Sequence, residues 1–175
     1  TTATVPRKNW VANQLLDPNG MKLRESRDSD AHPNSLAVMV LLDVTGSMRG
    51  VPRVVQEHLG ELMDRIHGPG GLPDVQLLVG AIGDATCDPA PLQFGQFESD
   101  NRIDDQIKAT LLVGGGGGSC EESYELALYA AARKTSCDCW EKRGKKGFLF
   151  IIGDEQPYPQ VSSHHLQKVF GEAQP

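Results

Sequence analysis

An uninterrupted apolar run, Leu36 to Leu42, is followed directly by Asp43-Val44-Thr45-Gly46-Ser47. A continuous apolar run of this kind is typical of a strand buried on both faces of a parallel sheet. Open α/β sheets bind their ligands at the carboxyl ends of such strands. The sequence therefore predicts an α/β fold in which one carboxylate, Asp43, and two hydroxyls, Thr45 and Ser47, lie in a ligand-binding loop.

Short apolar runs alternate with amphipathic stretches along the rest of the chain. Val75–Ile82 and Phe148–Ile152 are predicted as further buried strands. A short antiparallel edge strand is predicted around Phe94, because Pro89 and Pro91 exclude a central strand there. Apolar residues at helical spacing predict four helices, at about 52–67, 103–112, 121–136 and 162–170. This alternation predicts a doubly wound, Rossmann-like, mostly parallel sheet covered on both faces.

Composition limits the size of the protein and its class. With 175 residues, of which 39% are hydrophobic, the chain can bury one good core. We interpret the polar, turn-rich residues 1–35 as an N-terminal arm and residues 36–175 as the domain. A net charge of −6 argues against nucleic-acid binding. No apolar run approaches the roughly 20 residues of a membrane helix, and no signal peptide is visible, so we expect a cytoplasmic protein that does not contact a membrane.

Oxygen ligands recur in three loops that the topology brings to one edge of the sheet. Asp43, Thr45 and Ser47 follow the first strand, Ser119 follows five consecutive glycines, and Asp154 follows Phe148–Ile152. Hydroxyl and carboxylate oxygens suit hard cations rather than soft metals. The sequence therefore predicts a site for Mg²⁺, or for Mn²⁺ or Ca²⁺. Read alone, Ser119 is equally well explained as a helix cap.

These three loops resemble the metal-ion-dependent adhesion site of the von Willebrand factor A (vWA) domain family. Asp43, Thr45 and Ser47 take the places of its D-x-S-x-S motif, Ser119 takes the place of the hydroxyl that follows Gly-Gly, and Asp154 takes the place of the Asp in T-D-G. The match covers roughly residues 36–170. Thr45 replaces the commoner Ser, Ser119 replaces the usual Thr, and the family's last strand and helix are missing, so the resemblance implies a sheet that is incomplete at one edge.

The resemblance implies a binding module and no catalytic residues. Hydroxyls are neutral ligands, so a bound Mg²⁺ would have unfilled positions that a Glu or Asp of a protein partner could complete. Bacterial intracellular members of the family often act as adaptors beside AAA+ ATPases, so such an ATPase is one expected partner. Asp84 and Asp88 also lie at this end of the sheet, and we interpret both as loop-forming residues, with Asp84 the better candidate for a supporting contact.

The same loop is also compatible with an enzymatic function. Asp43-Val44-Thr45-Gly46-Ser47 also resembles the D-K-T-G-T loop of P-type ATPases and haloacid-dehalogenase-like phosphotransferases. In that interpretation Asp43 would be the nucleophile, Lys145 or Lys146 the phosphate clamp, and Gly153-Asp154 a Mg²⁺ loop. It leaves the glycine-rich loop and Ser119 without a role, which favours the binding module.

Overall fold

A computed structural model of the chain describes residues 10–114 and 121–172. The strands are β1 (Arg24–Ser26), β2 (Leu36–Asp43), β3 (Val75–Ile82), β4 (Leu92–Phe94), β5 (Glu121–Glu122), β6 (Thr135–Cys137), β7 (Phe148–Ile152) and β8 (Gln156–Pro157). The helices are α1 (Val51–His67), α2 (Arg102–Ala109), α3 (Tyr124–Arg133), α4 (Asp138–Glu141) and α5 (Ser163–Phe170).

The main sheet has four strands in the order β4-β3-β2-β7. β2 pairs in parallel with β3, where Leu36 lies opposite Val75, and with β7, where Val38 lies opposite Phe148. β4 is short and antiparallel to β3. The predictions of an α/β fold, a mostly parallel sheet and a short antiparallel edge strand are therefore confirmed.

Helices cover both faces of the central strands, because alternate residues of a strand point to opposite faces. On one face, Met39 and Leu41 of β2 belong to a core that includes residues of α3 and α5. On the other face, Val38 and Val40 pack in a core with residues of α1 and α2. α1 begins at Val51, next to Pro52, which is favourable in the first turn of a helix, and it ends at His67, directly before Gly68. All eight residues of β2 are consequently buried.

The prediction that β7 is buried was wrong. Its sequence, Phe148 to Ile152, predicts a buried strand, but β7 lies at the edge of the sheet and its side chains are largely exposed. Phe148 keeps 47% and Phe150 keeps 53% of its accessible surface. Within residues 10–114 and 121–172, no strand pairs with the outer side of β7. The prediction was wrong because an apolar run carries no information about how many neighbours the strand has.

The segment before β2 packs against the domain. Leu16 is fully buried, and its carbonyl oxygen accepts a hydrogen bond of 2.8 Å from the backbone N–H of Phe94. β1 pairs in parallel with β6, which follows α3 directly. This pairing explains why α3 ends at Arg133 and not near residue 136, since residues 135–137 are extended. No helix among the described residues is long and apolar enough to span a bilayer.

Candidate metal centre

Asp43 lies at the carboxyl end of β2 and is fully buried. Its Oδ1 accepts hydrogen bonds from the backbone N–H of Thr45 (2.8 Å) and from the Thr45 hydroxyl (2.6 Å). Its Oδ2 accepts a short hydrogen bond from the hydroxyl of Tyr124. A buried carboxylate requires donors of this kind, because burial without them is costly. The carboxylate is therefore held in one orientation at the base of the loop.

The loop residues connect Asp43 to the neighbouring strand. The hydroxyl oxygens of Thr45 and Ser47 are 3.2 Å apart, and the Ser47 hydroxyl donates to Oδ1 of Asp154 over 3.0 Å. Thr45 is buried, whereas Ser47 and Asp154 are exposed. Four of the predicted residues thus form one connected group that runs from the buried end of β2 to the surface beyond β7.

The start of α3 supports this group through Tyr124. The Tyr124 hydroxyl donates to Asp43 and accepts from the backbone N–H of Glu155 at 3.3 Å, so it ties the two strand ends together. A Cβ at Gly153 would lie 2.1 Å from the Tyr124 hydroxyl oxygen, so only glycine leaves room for this ring. Burial, followed by the hydrogen bond to Asp43, raises the pKa of Tyr124. The sequence prediction missed Tyr124, because a tyrosine at a helix start reads as an ordinary core residue.

Glu122 is a second residue that the sequence prediction missed. It was predicted in the first turn of a helix, but Glu121–Glu122 form β5, which pairs with β8, and α3 begins two residues later. Glu122 is buried, and among the described residues its Oε2 has no hydrogen-bond partner. Burial and the nearby carboxylates of Asp43, Asp84 and Asp88 raise the pKa of Glu122 to about 8, against the opposing effect of a hydrogen bond with Thr45.

The donor set fits a hard dication. Asp43, Thr45, Ser47 and Asp154 offer only oxygen atoms, and the buried Oε2 of Glu122 beside them lacks the partner that a buried polar atom needs. The described residues contain no group of three or more His, Cys, Asp or Glu side chains arranged to hold a metal ion. The predicted set does not depend on such a group, since two of its four described members are hydroxyls.

The remaining predicted residues have different outcomes. Ser119 lies outside the described residues. Asp84 is fully buried in the loop after β3, where its carboxylate accepts from the Thr86 backbone N–H (2.8 Å) and hydroxyl (2.5 Å) and from the Tyr158 hydroxyl (2.9 Å). Oδ2 of Asp88 accepts from the Asp84 backbone N–H at 2.9 Å. Burial opposes ionisation of Asp84, but the hydrogen bonds outweigh it and lower the pKa of that carboxyl. Both residues therefore organise their loop, as predicted.

Lys145 and Lys146 lie at the opposite end of the sheet from Asp43. They precede β7, whose first residue is opposite Val38, whereas Asp43 is the last residue of β2. Between Val38 and Asp43 a strand rises roughly 16 Å, at about 3.3 Å per residue. Neither lysine is placed to clamp a phosphate on Asp43, so the phosphotransferase interpretation loses the cation that it requires.

Comparison of the chain with protein-family models and with curated proteins gives no match. The described residues form an α/β protein with an open, mostly parallel sheet and a cluster of carboxylate and hydroxyl oxygens at the carboxyl end of its central strand.

Proposed function

We propose that this chain is a vWA-like module that binds a divalent cation and uses it to capture a carboxylate of a protein partner. The observation that carries the proposal is the connected group Asp43–Thr45–Ser47–Asp154, which joins the loops after two adjacent parallel strands. These are four of the five residues that the sequence resemblance assigns to metal binding; the fifth, Ser119, lies outside the described residues. Mg²⁺ is the first candidate, with Mn²⁺ and Ca²⁺ as alternatives of the same chemistry.

The charges and exposures of the site favour capture of a partner over a closed structural site. Asp43 and Asp154 would supply two negative charges to the cation, and Thr45 and Ser47 would supply neutral oxygens. Because Mg²⁺ prefers six ligands, these side chains leave positions for water or for an incoming carboxylate. The accessible side of the group is formed by Ser47 and Asp154, which are exposed, while Asp43 and Thr45 are buried behind them. A partner therefore has a route to the cation from that side.

The partner, in this proposal, presents a Glu or Asp on its surface. A larger assembly built around an AAA+ ATPase is the arrangement that the resemblance suggests, and it belongs to the proposal alone. No side chain in the site is assigned a catalytic role.

Manganese binding tests the metal part of the proposal. We expect isothermal titration with Mn²⁺ to show one site, and Asp43→Asn to lower its affinity at least about tenfold, because the carboxylate charge is lost while the shape is kept. Asp105→Asn is the matched control, since Asp105 lies exposed on α2 away from the site. Unchanged binding by Asp43→Asn, with circular dichroism showing a folded protein, would contradict the proposal.

Partner capture is tested with the immobilised full chain. A protein retained in Mg²⁺, released by chelator and not retained by Asp43→Asn would support the proposal. Substitution of the partner's contacting Glu by Gln should then abolish retention. Retention that is equal with and without chelator would overturn the metal-bridged mechanism, even if Mn²⁺ binds.

A further inference from the structure

Glu122 is a buried carboxylate with one oxygen that receives no hydrogen bond. The residue is 3% exposed, and among the described residues its Oε2 has no hydrogen-bond partner. Buried carboxylates are normally hydrogen-bonded and either paired with a positive charge or bound to a metal. None of the ion pairs within the described part of the chain includes Glu122. The described side chains therefore give this carboxylate no compensating positive charge.

The surroundings of Glu122 add negative charge. The carboxylates of Asp43, Asp84 and Asp88 are also buried and act on Glu122 electrostatically. Within residues 10–114 and 121–172, no buried oxygen of these three carboxylates lacks a hydrogen-bond partner, so Glu122 is the exception in the group. Like charges that are buried together repel one another more strongly than in water. A cation beside this group would relieve the repulsion.

The backbone around Glu122 fixes the position of its side chain. Glu122 lies opposite Pro157 in the β5–β8 pair. The next residue, Ser123, donates its backbone N–H to the carbonyl oxygen of Gly83 at 3.1 Å, and its hydroxyl oxygen accepts from the backbone N–H of Ala85 at 2.9 Å. β5 is therefore tied both to β8 and to the loop after β3. The inward position of the Glu122 carboxylate is part of the fold.

A hydrogen bond with Thr45 links Glu122 to the candidate metal centre. The Thr45 hydroxyl is also within hydrogen-bond distance of Asp43, since its oxygen lies 2.6 Å from Oδ1 of that residue. A hydroxyl has one hydrogen, so Asp43 and Glu122 are alternative acceptors for it. When Glu122 accepts the hydrogen, Oδ1 of Asp43 is released from the hydroxyl, and the lone pairs of Thr45 can turn to a cation.

We propose that Glu122 is a further residue of the cation site, where it strengthens cation binding through Thr45 from the buried side. It accepts the hydroxyl hydrogen of Thr45 and places a negative charge behind a ligand that is itself neutral. Groups that hydrogen-bond to a metal ligand typically contribute about 10- to 100-fold in metal affinity. The inference rests on the proposed function, because it requires a cation at Asp43 and Thr45. The exposed side, formed by Ser47 and Asp154, stays open to a partner.

Glu122→Gln tests the inference, because glutamine has the shape of glutamate without its charge. We expect isothermal titration of the full chain with Mn²⁺ to show an affinity about tenfold lower than that of the parent. Glu121→Gln is the matched control, since Glu121 is the other residue of β5 and its side chain points to the opposite face of the strand. The control should keep the affinity of the parent. An unchanged affinity in Glu122→Gln would overturn the inference.

The melting temperature in chelator separates this role from a purely structural one. We expect Glu122→Gln to melt at the same temperature as the parent or higher, because the change removes a carboxylate that is buried beside three others. A residue that only stabilises the fold would give the reverse result, with a lower melting temperature in chelator and normal Mn²⁺ affinity in the folded protein. That result would contradict the inference.

The charge of the cation provides a further readout. Coulomb energy is proportional to the product of the charges, so the loss of one negative charge should weaken binding of Tb³⁺ more than binding of Mn²⁺. If the Mn²⁺ affinity of Glu122→Gln falls about tenfold, its Tb³⁺ affinity, measured by luminescence titration, should fall about 30-fold. Equal losses for the two cations would assign the effect to shape and would contradict a role for the charge.

Asp43→Asn separates a failure of this inference from a failure of the proposed function. A parent protein that binds neither cation, or an Asp43→Asn variant that binds both as tightly as the parent, would contradict the proposed function and the role of Glu122 with it. Loss of binding in Asp43→Asn together with normal binding in Glu122→Gln would support the cation site and contradict the role of Glu122 alone.

Discussion

β2 and β7 lie side by side in the same sheet and are both predominantly apolar, yet their environments differ. Both are apolar runs, and an aspartate ends β2 and follows closely after β7. Every residue of β2 is buried, whereas four of the five residues of β7 are exposed. β2 has a strand on each side and helices on both faces, while β7 has a described neighbour on one side only. Position in the sheet, not composition, decides which apolar run forms the core.

The two aspartates at the ends of these strands differ in the same way. Asp43 is fully buried and accepts hydrogen bonds from Thr45 and Tyr124, whereas Asp154 is exposed and accepts one from Ser47. The first is fixed before any ligand arrives, and the second is open to solvent. A cation held between them would have one rigid ligand and one accessible side.

The largest expected effect is a difference in the free energy of unfolding between a variant of β2 and a variant of β7. Leu41→Ala should lower the free energy of unfolding by about 3 kcal/mol, because it leaves a cavity at a fully buried position. Leu149→Ala removes the same atoms from the neighbouring strand, where the side chain is partly exposed, and should cost about 1 kcal/mol or less. Urea denaturation of dilute protein measures both. Equal losses would show that β7 is covered as fully as β2.

A smaller difference in stability is expected between removing a hydrogen-bond donor from Asp43 and removing one from Asp154. In chelator, Tyr124→Phe should cost about 2 kcal/mol, because it removes a donor from a buried carboxylate. Ser47→Ala removes the donor of Asp154 at an exposed position, and its cost should stay below about 0.5 kcal/mol. Thermal unfolding of the two variants beside the parent gives the comparison. A larger loss of stability in Ser47→Ala than in Tyr124→Phe would contradict this contrast between the two aspartates.

The last prediction is a pH dependence at the buried end of β2. The pKa of Glu122 is about 8 in the folded chain and lies near 4.5 when unfolded, so the folded state holds the extra proton between these values. Stability without metal should therefore fall as the pH rises from about 5 to about 8. Melting temperatures measured across this range in chelator check the slope. Glu122→Gln should reduce the slope of melting temperature against pH. An unchanged slope in that variant would show that other groups cause the pH dependence.

The sequence predicted the sheet well because local patterns determine it. The bounds of β3 and the ends of α1 followed from apolar periodicity and from Gly68, and the order of the loops followed from parallel topology. It could not predict that Phe148–Ile152 lies at an edge, because that depends on which other strands are present. Tyr124 and Glu122 were missed for a related reason, since only the tertiary contact with Asp43 and Thr45 gives them a role at the site.

The central claim is that the side chains after β2 and β7 hold one cation together. Anomalous diffraction from a crystal grown or soaked with Mn²⁺ tests it most directly. The account predicts one strong manganese peak within ligand distance of Thr45, Ser47 and at least one of Asp43 and Asp154. An ordered loop with these oxygen atoms in place and no peak between them would contradict it.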